Sequence, residues 1–209
     1  MNKEPLIESS DVLLLGPCSI VNQKLFSSCV DTMPILAVDG GVKHLNTKEC
    51  ISIGDGDSSN IKMDINFPTR KSQSDLQLAL EHLSPKNKAI YAFGFLGERR
   101  DHEWINLGEF TRHTMRTKCQ VILEGRTLFL PKGIYEIEIK GIFSLMSLHE
   151  NRVSLSGQCE YGNGETFELG PLSSQGLSNI GHGVVRIETL SALIVHSVEQ
   201  DLALAKYFP

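Results

Sequence analysis

A change of hydrophobic period near residue 119 constrains the fold of this chain more than any other feature. Before it, short apolar runs end in turn signals: DVLLL (11–15), PILAV (34–38), residues 51–53 and KAIYAF (88–93). Runs of this length and make-up predict buried strands, and the stretches between them carry helical spacing. The clearest helix starts at Ser74, where Ser74 and Gln77 have capping-box spacing and Leu76, Ala79, Leu80 and Leu83 share one face. A second helix follows Asp101 and runs through Trp104, Ile105 and Phe110 toward Arg116, with Trp104 assigned to its apolar, core-facing side. After residue 119 the period falls to two. CQVILEG, TLFLPKG, IYEIEIKG, FSLMSL, RVSLSG, FELG, VVRIET and ALIVHS are separated by Gly, Pro, Asn and Ser, and only the last dozen residues return to a helical pattern.

Alternating β and α units imply a mainly parallel sheet with both faces covered, whereas consecutive short strands imply an antiparallel sandwich or barrel. The predicted fold is therefore an α/β N-terminal domain with a mainly parallel sheet (1–124), followed by an all-β, jelly-roll-like sandwich (125–209). The tail after Ser197 is expected to form a helix over a sheet edge or a partner.

Composition narrows the functions. The 209 residues carry 41% apolar side chains, enough for a packed core, and a net charge of −5 without a basic stripe argues against nucleic acid as the main partner. No apolar run has the length of a membrane span, and the N-terminus lacks the form of a signal peptide, so the expectation is a cytoplasmic protein without a membrane partner. The five cysteines (Cys18, Cys29, Cys50, Cys119, Cys159) are scattered without a CxxC pair, as free structural thiols are.

Chemistry concentrates in five aspartates: Asp39 in AVDGG, Asp55 and Asp57 in IGDGDS, Asp75 in KSQSDLQLAL and Asp101 in GFLGERRDH. Four of them follow or lie close behind strand-like runs, so an open α/β sheet collects them along one edge. Hard oxygen ligands in a wet crevice suit Mg²⁺ carrying a phosphate chain. Asp55 and Asp57 stand two apart on extended chain and can face one cation, although a plain Asp-Gly surface turn explains them as well. Gly40 and Gly41 after Asp39 can offer N–H groups to an anion or simply make a turn. Asp75 has an equally plain role as a helix N-terminal acid. GFLGERRDH joins Gly94, Gly97, Arg99, Arg100, Asp101 and His102 at a strand-to-helix junction, where an arginine can clamp phosphate oxygens and the acid can hold a metal or orient a nucleophile; a solvated charge run is the alternative. Neither a P-loop, a G-x-G-x-x-G turn nor a G-x-S-x-G elbow occurs.

The ordered set AVDGG, IGDGDS, K-x-x-S-D-L-x-x-A-L, G-x-x-G-x-R-x-D-H-x-x-x-N and S-S-x-G-L-S-N resembles the thiamine pyrophosphokinase family, from about residue 12 to residue 197. The resemblance implies transfer of the terminal pyrophosphate of ATP to the hydroxyl of thiamine, giving thiamine diphosphate and AMP, with Mg²⁺ and a homodimer. It places Asp39, Asp55, Asp57 and Asp75 in the metal site, and Asp39, Gly40, Gly41, Gly94, Gly97 and Arg99 around the ATP phosphates. Asp75, Arg99 and Asp101 become the catalytic candidates, and Lys71, Ser178 and Asn179 lie at the thiamine end. Four positions depart from the family pattern: Gly56 replaces an aromatic residue, Ser72 an acid, Ser74 a threonine whose hydroxyl it keeps, and Glu98 a glycine. Two other functions share part of these features. One is a pyrophosphokinase acting on another alcohol such as a hydroxymethylpterin; the other is a non-catalytic nucleotide- or thiamine-sensing module.

Overall fold

The computed structural model describes residues 5–46, 49–56 and 62–209. The chain divides into two compact units, Met1–Glu109 and Phe110–Pro209. The division falls inside a helix rather than near residue 125, where the sequence pattern drew it. Phe110, on the helix, packs against Phe129 with the rings tilted by 51° and their centroids 5.7 Å apart, so the end of that helix belongs to the second unit.

In the first unit, β1 (Asp11–Leu15), α1 (Gln23–Thr32), β2 (Ile35–Val38), β3 (Ile51–Gly54), β4 (Ile65–Asn66), α2 (Asp75–Glu81) and β5 (Ala89–Phe93) alternate as the apolar runs predict. Only the two-residue β4 has no sequence signature. The strands are parallel in the order β5-β1-β2-β3-β4. Leu13, Leu15, Ile35, Ala37 and Phe93 bury one face together with Phe26 and Cys29 of α1. Near-continuous burial along β1, β2 and β5 is what a parallel sheet covered on both faces requires. α1 is capped by Asn22, whose side chain accepts from the Leu25 N–H. Ser74 caps α2 by accepting from the Gln77 N–H at 3.1 Å, but Gln77 turns its amide to Glu81, so only half of a capping box forms.

Strand order reverses at β1. The chain steps outward through β2, β3 and β4, then returns to place β5 on the other side of β1, which makes the carboxyl end of β1 a topological switch point. Backbones crowd there. Gly16 and Gly94 approach so closely that a Cβ on either would strike the other's carbonyl, and Gly94 has φ +77°.

α3 (Arg100–Thr117) runs across the division. It begins two residues before the predicted start and extends as expected, but Trp104 is 69% exposed and Ile105 56%, while Phe110 is fully buried. Six residues at 100° each put Trp104 and Phe110 about 120° apart around the axis, so they do not share a core stripe.

The second unit contains β6 (Gln120–Leu123), β7 (Thr127–Leu130), β8 (Gly133–Met146), β9 (Asn151–Cys159), β10 (Thr166–Leu169), β11 (Asn179–Thr189), β12 (Leu193–Ser197) and β13 (Lys206–Phe208). Its pairings are antiparallel, in the order β10-β9-β11-β8-β12-β7-β6 with β13 on β8. Alternation places Tyr135, Ile137 and Ile139 inside while Glu138 and Lys140 face solvent. IYEIEIKG and FSLMSL, expected as separate strands, form the single strand β8, because Gly141 (φ +92°) bends the strand without breaking its pairing to Gly181. The tail is a strand rather than the expected helix: Lys206–Phe208 pair with Ile134–Glu136, an edge that no local pattern in the tail reveals.

One buried group sets an acid limit on stability. His113 of α3 is 2% exposed, and neither ring nitrogen has a hydrogen-bond partner. Burial pushes its pKa down to about 4 from 6.5, with Arg116 adding to the effect. The unfolded chain takes up this proton at a higher pH than the folded one, so stability falls as pH drops from 6.5 toward 4, by up to about 3 kcal/mol. Replacing His113 with Leu should raise the free energy of urea unfolding at pH 7 and flatten its decline across that window. An unchanged decline would remove His113 from the account.

Candidate functional site

The carboxyl ends of β1, β2 and β5 open into a cavity of about 530 Å³. Pro17 and Cys18 line it after β1, Val38 at the end of β2 with Asp39 and Gly40 just beyond, and Gly94, Phe95, Gly97, Glu98 and Arg99 after β5. Val42 and Lys43 of the 3₁₀ turn that follows β2, Ser74, Asp75 and Leu76 at the start of α2, and His102 and Asn106 of α3 complete the wall. Ligands on open α/β sheets bind at this place in the topology, where loops diverge on either side of the switch strand.

Asp39 adopts φ +48°, an uncommon backbone state for a non-glycine residue, and is 9% exposed. Its Oδ1 is buried without a hydrogen-bond partner. Strain and an unmet acceptor at one cavity-lining residue mark a place organised for something other than stability. Gly40 lines the cavity, whereas Gly41 is required for packing: a Cβ there would run into the Leu15 carbonyl.

Asp55 follows β3 and Asp75 begins α2. Lys71 joins them, its Nζ 2.6 Å from Asp55 Oδ2 and 3.3 Å from Asp75 Oδ1. The second contact is an electrostatic pairing without hydrogen-bond geometry, since Asp75 Oδ1 has no hydrogen-bond partner. Burial pushes the Asp75 carboxyl above its ordinary range; Lys71 pulls it down, and the charges of Asp55 and Asp39 push it up again. For Lys71, burial acts downward, but its bond to Asp55 and the charge of Asp75 outweigh it and raise the pKa. The two directions are compatible: the ammonium sits between two carboxylates, while Asp75 answers to one ammonium and two like charges. Asp57 lies outside the described residues. Gly56 has φ +73°, so the aromatic residue usual at this position in the resembled family would be strained here.

Arg99 and Asp101 form a side-chain pair, with Nε 3.2 Å from Oδ1 and Nη2 2.5 Å from Oδ2. The bond to Arg99 holds the Asp101 carboxyl below its usual range, and both side chains are largely exposed. Glu98 takes φ +63°, a conformation that glycine reaches more cheaply. Asn106 fastens the loop by donating to the Phe95 carbonyl at 2.9 Å.

Sequence reasoning placed Asp39, Asp75, Gly40, Gly94, Gly97 and Arg99 at this site, and all of them line the cavity. Asp55 and Lys71 adjoin it through Asp75, so Lys71 stands within the acidic group. Ser178 and Asn179 belong to the second unit. There Ser178 has φ +60°, and the Asn179 amide donates to the Gly176 carbonyl at 2.9 Å. Cys18 and Lys43 were not singled out. Cys18 lies three residues past the end of β1, and that placement was the available signal. All five cysteines are in the reduced, thiol form.

The buried Asp39 and Asp75 oxygens without hydrogen-bond partners are hard donors suited to a divalent cation. Among the described residues no three His, Cys, Asp or Glu side chains are already gathered at metal-binding spacing.

An α/β unit with a cavity at its switch point, followed by an antiparallel unit, defines the class of protein. No protein-family model and no curated protein sequence matches the chain. Solved structures do. Thiamine pyrophosphokinase from Bacillus subtilis superposes with a TM-score of 0.72 at 20% identity, covering 90% of this chain and 99% of that one. The enzyme from Geobacillus thermodenitrificans gives 0.68 at 16% identity, covering 90% and 98%. That from Candida albicans gives 0.67 at 15%, covering 88% of each chain. The chain has the fold of the thiamine pyrophosphokinases. No described helix is long and apolar enough to cross a membrane.

Because burial already disfavours the Asp75 charge, Asp75→Asn should raise the melting temperature in buffer free of divalent cations, even though it gives up the Lys71 contact. A lower melting temperature, read by circular dichroism, would show that the ion pair outweighs the burial cost.

Proposed function

We propose that this protein transfers the pyrophosphoryl group of ATP to the hydroxyl of thiamine, releasing AMP, as a cytoplasmic homodimer. The observation that carries the reading is the cavity at the β1 switch point, where Asp39, Asp75, Lys43 and Arg99 converge on a fold shared with thiamine pyrophosphokinases. The antiparallel unit, read as a sandwich bearing Ser178 and Asn179, supplies the thiamine end.

In the reaction the alcohol oxygen attacks the β-phosphorus, the bond from that phosphorus to the α-bridging oxygen breaks, and AMP leaves with the electron pair. The site must screen a triphosphate, align the hydroxyl and receive its proton. Arg99 and Lys43 supply positive charge at the cavity wall. Asp75 or Asp101 would accept the proton: without a metal, burial raises the Asp75 pKa and Arg99 lowers that of Asp101, whereas Mg²⁺ on Asp75 would lower its basicity in turn. Asp39, Asp55 and Asp75, with Asp57, would hold Mg²⁺, which supplies charge neutralisation on the phosphate chain. The acidic surroundings also suit thiamine, which is a cation.

Purified protein given ATP, Mg²⁺ and thiamine should release AMP and form thiamine diphosphate, with hydroxymethyldihydropterin as the comparison acceptor. Faster AMP release with the pterin would change the acceptor, and none with either would end the transferase reading. Asp55→Asn should lower turnover at least about a hundredfold, the scale of losing one electrostatic stabiliser, while leaving the circular dichroism spectrum intact. Near-normal turnover would remove Asp55 from the site.

A further inference from the structure

Two groups on the loop after β5 that would meet a phosphate chain are already engaged by carboxylates from the first turn of α3. Arg99 is held by Asp101 through two nitrogens. The Gly97 N–H donates to Glu103 Oε1 at 2.5 Å. Gly97 borders the cavity, and a Cβ built on it would meet nothing within 4 Å, so the residue is open on its Cβ side. The loop is drawn tight around it: the Arg99 N–H donates to the Gly97 carbonyl at 2.7 Å, and Glu98 between them is left-handed. Glu103 was absent from the sequence-derived site because nothing in RDHEW distinguishes it from an ordinary first-turn acid.

We propose that Glu103 is an affinity-setting residue of the nucleotide site: its carboxylate occupies the Gly97 N–H as an internal stand-in for a phosphate oxygen, and nucleotide must displace it to bind. The inference rests on the nucleotide reading above. A carboxylate and a phosphate oxygen seek the same donor with the same sign of charge, so both cannot keep it. Glu103 therefore opposes the ligand twice, by competing for the hydrogen bond and by leaving a negative charge beside the incoming phosphates. Glutamine keeps the reach and an acceptor oxygen but loses the charge; alanine loses both. A residue whose role was to hold the loop in its binding shape would give the opposite sign, since its removal would loosen the loop and weaken binding.

The test is titration calorimetry of the full chain with α,β-methylene-ATP and Mg²⁺; this analogue replaces the bridging oxygen at which the proposed transfer breaks the chain. Glu103→Gln should bind it about three- to tenfold more tightly than the unsubstituted protein, the span expected for removing one competing hydrogen bond, and Glu103→Ala should also bind more tightly. Binding by the unsubstituted protein with equal or weaker binding by both variants would overturn this inference while leaving the nucleotide reading intact. No binding by any of the three proteins would overturn both.

Discussion

The structure turns on how several carboxylates come together at one end of a parallel sheet without driving it apart. Parallel strands align their carboxyl ends, so Asp39 after β2 and Asp55 after β3 arrive on the same side, and the start of α2 brings Asp75 to them. Lys71 sits between Asp55 and Asp75 and offsets part of the repulsion. It does not remove it, since Asp75 keeps a raised pKa and the Asp39 Oδ1 stays without a hydrogen-bond partner. A fold that optimised stability alone would avoid that arrangement. A site that receives a cation and a phosphate chain needs it, because the ligand then supplies the missing partners.

The rest of the first unit serves this edge. Crowding at Gly16, Gly41 and Gly94 brings the β1, β2 and β5 loops close enough to share one cavity. The cap at Ser74 fixes where α2 begins, and hence where Asp75 stands. Asn106 pins the loop that carries Gly97 and Arg99. Each contact is individually small. Their common effect is to hold charged groups at fixed positions before any ligand arrives, which is the physical content of preorganisation.

Local pattern revealed much of this. The apolar runs at 11–15, 34–38 and 88–93 and the cap at Ser74 marked strands and a helix because their signals are contained within a few residues. Asp39, Asp75 and Arg99 were legible because they follow strand ends or open a helix in an α/β order. What local pattern hid depends on partners distant in sequence. β13 forms because Ile134–Glu136 offer an unpaired edge, and Gly141 bends β8 instead of ending it because Gly181 lies opposite. Trp104 was misplaced because it was grouped with Ile105 and Phe110 as one apolar face, whereas Phe110 alone of the three is buried. Lys43 and Glu103 look like ordinary surface charges until the loops that approach them are known.

The most direct test of the account is a crystal structure with Mg²⁺, α,β-methylene-ATP and thiamine bound. The account predicts a cation held by oxygens of Asp39, Asp55 or Asp75, with the triphosphate lying across the carboxyl end of β1 toward Gly97 and Arg99. A nucleotide bound elsewhere, with no cation on these carboxylates, would contradict it.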